Sequence, residues 1–138
     1  MKNQELFNRT IGILVKAYQN DTLTHGICQK CAVGNIVAAN MGFSPEPKGW
    51  LEANQDSTDW YTTIGKNECW RNENGFIQIQ STGYSPNNLY DIEESFESAS
   101  EGADRMFNGL MAVVDTLMII HEANETEVKQ AKELFVLT

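Results

Sequence analysis

Ala103-Asp104-Arg105-Met106-Phe107-Asn108-Gly109-Leu110-Met111-Ala112-Val113-Val114-Asp115-Thr116-Leu117-Met118-Ile119-Ile120-His121-Glu122 decides the fold. Met106, Phe107, Leu110, Met111, Val113, Val114, Leu117, Met118, Ile119 and Ile120 lie almost all round a helical wheel, the pattern of a central buried helix. The longest near-apolar run, Leu110 to Ile120, is 11 residues and contains Asp115, too short to span a bilayer. The rest of the chain must therefore pack around this helix in water.

On the C-terminal side, Asn124 and Glu127 form a capping box that opens a last helix through Leu134 and Val136. On the N-terminal side, Ser98 to Gly102 reads as a loop. Before it, Ser85-Pro86 marks a helix start, a capping hydroxyl followed by proline at the first helical position. Leu89, Ile92 and Phe96 make the apolar face of that helix, with Glu93, Glu94 and Glu97 outside it.

Further out, Leu6, Phe7, Thr10, Ile11, Leu14, Val15 and Tyr18 fall at helical spacing between about Asn3 and Asn20. Ala32 to Asn40 or Gly42 reads as a helix whose small residues Ala32, Gly34, Ala38 and Ala39 permit close approach, by another helix or by a second copy. Phe43 to Gly49 is a break, and a short helix is expected near Thr58 to Ile64. Phe76-Ile77-Gln78-Ile79-Gln80 fits either a strand or a short helix ending at Gly83, with the helix favoured because a strand here has no evident partner. The expected fold is all-α: a compact single-domain helical bundle of five to seven helices spanning residues 1–138.

Composition agrees with a folded globule: 138 residues, 41% hydrophobic and 21% charged. The first residues lack the basic start, apolar run and cleavage site of a secretory leader. Three cysteines do not form a disulfide framework, so a reducing cytoplasm is the expected setting.

Net charge is −9 and unevenly placed. Residues 87–127 carry ten acids against one base, Arg105, leaving nine acids and nine bases elsewhere. Such a surface repels phosphate backbones and argues against ordinary nucleic-acid binding. A solvated acidic face is the plain reading. The sharper one is a docking face for a basic protein partner built from Glu93, Glu94, Glu97 and Glu101, or mimicry of nucleic acid.

Two constellations bear on chemistry. His25-x-x-Cys28-x-x-Cys31 presents an imidazole and two thiols with a turn-forming Gly26, and Cys69 or His121 is available to complete a tetrahedral zinc site. The alternatives are two small buried core cysteines, or a dithiol redox site, which lacks the strand-to-helix setting it normally occupies. Asp115, on an apolar helix, needs a partner, a wet edge or a cleft, and the cleft reading makes the chain a small enzyme or ligand-binding protein. His121, at the end of the same helix, reads as a surface histidine favoured in its charged form by the helix dipole. No phosphate loop, nucleophile elbow, dinucleotide turn or zinc-protease motif is present.

Cys28-Gln29-Lys30-Cys31-Ala32-Val33-Gly34-Asn35 and Phe107-Asn108-Gly109-Leu110-Met111 resemble segments of small helical proteins of phages and prophage-rich bacterial genomes that carry a C-A-[VLI]-G helix. That resemblance implies an accessory or host-interaction role and assigns no functional residue. The expected function is a non-enzymatic binding or regulatory module acting through the acidic C-terminal half.

Overall fold

The computed structural model describes residues 2–25, 31–42 and 79–136. Five helices are complete within these bounds: α1 (Gln4–Gln19), α2 (Ala32–Asn40), α3 (Pro86–Glu97), α4 (Arg105–His121) and α5 (Glu125–Val136). A sixth helical segment is described over residues 79–81, and there is no strand among the described residues. The fold is an all-α helical bundle. The expected helix near Thr58 to Ile64, the prolines at 45 and 47 and the segment Phe76 to Gln78 lie outside the described residues.

The helix starts are set locally. Asn3 caps α1 by accepting from the Leu6 amide at 3.0 Å, and Ser85 caps α3 by accepting from Asn88 at 3.1 Å with Pro86 behind it. The segment 79–81 stops where Gly83 takes φ +81, a conformation that costs a glycine little. Thus the described part of the ambiguous glutamine-rich stretch is helical.

Each helix contributes a stripe to one core. Leu6, Phe7, Ile11 and Leu14 of α1, Val33, Ile36 and Val37 of α2, Leu89, Ile92 and Phe96 of α3, and Leu110, Val113, Val114 and Leu117 of α4 are all buried. The most extensive pairing is α3 against α4, while α1 bridges α2, α4 and α5. α4 is not buried all round, as its composition had suggested. Ile119 is 74% exposed and Asp115 lies on the same wet side, so α4 presents one face to the core and another to solvent.

α2 is the more deeply enclosed helix, with Ala32 to Ala38 all buried. Its small residues let α1 and α3 close on it within one chain, so Ala32, Gly34 and Ala38 offer no surface to a second copy. Asn35 pins it in place. Its side-chain nitrogen donates to the carbonyls of Thr22 (3.1 Å) and Cys31 (3.0 Å), and its oxygen accepts from the Thr22 hydroxyl (2.9 Å). A buried amide satisfied in this way specifies register at little net cost.

Candidate functional site

The residues with chemical potential fall into separate places. The first is the junction of α2, α3 and α4. Cys31 is the N-cap of α2, fully buried, and its sulfur accepts from the Gly34 amide at 3.3 Å. The same thiol donates to Glu93 Oε2 at 2.8 Å. One turn along α3, the His25 ring stacks on Phe96 with centroids 4.1 Å apart and planes within 3°. His25 Nε2 donates to the Phe96 carbonyl at 3.0 Å.

Glu93 corrects the expected acidic face. It is 8% exposed and belongs to the interior, because it follows Ile92 on the side of α3 that meets the Cys31 cap. Burial pushes its carboxyl up to about 7; the Cys31 bond opposes that rise, and the charges of Glu97 and Glu94 add to it. The other members stay on or near the surface: Glu94 and Glu101 are exposed, and Glu97 is half-buried. Arg105, the one base of the acidic block, turns back on the end of α3. Its Nε donates to the Ala99 carbonyl and its Nη2 to the Glu97 carbonyl, both at 3.2 Å.

Of the expected zinc ligands, His25 and Cys31 are described, and Cys28 and Cys69 lie outside the described residues. Among the described residues there is no group of three or more histidine, cysteine and acidic side chains able to hold a metal ion. His121 is not brought to His25. His25 sits against Gly109, and His121 is about 18 Å further along α4 at 1.5 Å per residue. The Cys31 thiol would have to lose its proton and leave Glu93 to serve as a ligand.

A second polar chain crosses the core between α1 and α4. Thr10 Oγ1 and Tyr84 Oη lie 2.8 Å apart, and Tyr84 Oη and His121 Nε2 are also 2.8 Å apart. His121 is 3% exposed, with Phe7 and Tyr84 packed edge-on against its ring at 5.5 and 5.4 Å. The expectation of a charged surface histidine is therefore corrected. Burial is the main cause that lowers its pKa from 6.5, and burial raises that of Tyr84 to about 12. Nothing in the local sequence marked this chain; its only signal was a histidine closing an otherwise apolar helix.

The His121 shift carries a pH dependence. A basic group with a folded pKa below its unfolded value stabilises the fold fully above 6.5, and that contribution is lost as pH falls through the folded value. Urea unfolding of the wild type and of His121→Gln between pH 5 and pH 8 should show wild type losing ground to the variant below about pH 6.5. A constant difference across that range would mean that His121 charges in the fold without penalty.

Asp115 occupies the wet edge of α4. Its side chain is 54% exposed and pairs with Lys132 Nζ of α5 at 2.7 Å. It lines neither of two surface clefts, one between α1 and α5 and one beside Ser95, Ser98 and Ala112. An exposed pair of this kind contributes at most about 1 kcal/mol. Among the described residues, then, Asp115 stands at a solvated ion pair and not in either of these clefts.

No helix among the described residues is long and apolar enough to cross a membrane. No protein-family model, no curated protein and no solved structure matches this chain.

Proposed function

We propose that the protein is a non-enzymatic binding or regulatory module that docks a basic protein partner on the exposed acids of α3 and the turn after it. The observation that supports this reading is the placement of Asp91 and Glu94 one turn apart on the exposed side of α3, followed by exposed Glu101 and Asp104. Arg105, the base nearest to them in sequence, is engaged with backbone carbonyls. Glu93 has no part in the docking face, and Glu97 lies at its edge. The resemblance of the Cys28 to Asn35 segment to phage and prophage proteins makes a host protein the partner to look for.

The chain, immobilised and exposed to cell extract at low and at high salt, should retain a partner at low salt and release it at high salt. The variant Asp91→Asn/Glu94→Gln/Glu101→Gln should fail to retain it. If retention ignores salt, or survives in the neutralised variant, the acidic face is not the docking surface.

A further inference from the structure

A groove of about 320 Å³ runs between α1 and α5, open to one side. Phe7, Ile11, Ala131 and Leu134 give it an apolar floor and wall, and Leu134 is 48% exposed there. Gly12 lines it too. A glycine inside a helix is less favourable than alanine. Internal packing does not explain this one, because nothing lies within 4 Å of where its Cβ would stand.

Glu127 supplies the second observation. Its backbone amide is capped by Asn124 Oδ1 at 2.8 Å, the first half of the capping box read from the sequence. In the second half its carboxylate would return to the Asn124 amide. Instead the side chain lines the groove, and its Oε2 is buried without a hydrogen-bond partner. Glu127 is half-buried and is the one acid among the residues that line the groove, so a cation brought by an occupant has a carboxylate to pair with. The remaining polar groups of the groove, Gln4, Asn8 and Gln130, are uncharged amides.

We propose that this groove receives an amphipathic helix of a partner protein, which seats an apolar side chain against Phe7, Ile11 and Gly12 and sets a lysine or arginine on Glu127. The charge complementarity of Glu127 selects a basic occupant, and the open apolar trough between two helices suits a helix laid along it. A small ligand would be left largely uncovered in a groove open to one side. The surface shares no residue with the acidic face of α3, so the two readings stand or fall separately.

The probe is a labelled synthetic helical peptide with leucines at i, i+3, i+4 and i+7 and lysines flanking them, titrated by fluorescence anisotropy at physiological salt. Gly12→Leu fills the groove while favouring the helix, and should weaken binding about tenfold or more. Leu134→Ser, at an exposed position that leaves folding intact, should weaken it as well. Glu127→Gln should cost about fivefold, and that loss should vanish when the peptide's lysines are replaced by methionine. The neutralised α3 variant should bind within about twofold of wild type. Binding that ignores Gly12→Leu and Leu134→Ser, or that disappears with the α3 acids, would overturn the proposal. So would a wild-type dimer that Gly12→Leu dissociates in sedimentation, since the groove would then belong to a second copy.

Discussion

Replacing Gly109 by alanine is expected to cost about 2 kcal/mol of folding stability, although the same change in an exposed helix normally gains up to about 1 kcal/mol. The reason is the crossing of α3 and α4. A Cβ at Gly109 would stand 2.9 Å from the Phe96 carbonyl oxygen, 3.2 Å from His25 Nε2 and 3.3 Å from Phe96 Cδ1. The first of these is backbone and cannot swing aside. Relief would require the two helices to separate, loosening Phe96, which is fully buried, and the stacked His25 that donates to its carbonyl. Gly12→Ala is the matched control, because nothing meets its added methyl, and it should stabilise by about 0.5–1 kcal/mol. Urea denaturation of the two single variants beside wild type gives both numbers. Equal effects of the same sign would mean that α3 and α4 do not approach as closely as described.

Glu93→Gln should stabilise the protein, by an amount that grows with pH. Burial raises the Glu93 carboxyl from 4.5 to about 7 in the fold. An acid whose folded pKa is raised contributes no penalty below its unfolded value, where both states are protonated. It costs stability progressively as pH rises through the folded value, because the unfolded chain releases its proton more readily. A shift of that size, which already includes the opposing Cys31 bond, corresponds to roughly 3 kcal/mol at full ionisation. Glutamine keeps the shape and the acceptor for the thiol while removing the titration. The variant should therefore match wild type near pH 4 and exceed it by about 2–3 kcal/mol near pH 8. A difference that stays flat across that range would place Glu93 in water, and its return to the docking face would follow.

These two expectations rest on contacts between distant parts of the chain, and their partners show what could be read along it. Helix identity was legible where residues set it locally. Ser85-Pro86, Asn3 and the Asn124–Glu127 amide bond all appear where capping rules place them. The core stripes of α1 and α3 follow from apolar residues spaced to share one side of a helix. Glu93 was misplaced because it neighbours that stripe. On α3 alone it adjoins Ile92 at the margin of the apolar arc, and only the arrival of the α2 cap covers it. His121 was misplaced for the same reason. A helix end is normally wet, but α1 and Tyr84 close over this one.

Asp115 and Glu127 show the opposite outcome. An acid in an apolar run suggested a cleft, yet the angular position of Asp115 on α4 sets it toward solvent and Lys132. A capping-box glutamate suggested a role confined to its own helix, yet its carboxylate faces the groove beside α1. By itself the sequence determined the helical class, the helix starts and the segregation of acidic charge, because these depend on residues within a few turns of one another. The tertiary structure alone decided which marginal polar residues are buried, which glycine marks a crossing and which an open groove. Those properties depend on which helix packs opposite, and the burial that shifts a pKa or orphans a carboxylate exists only after that packing.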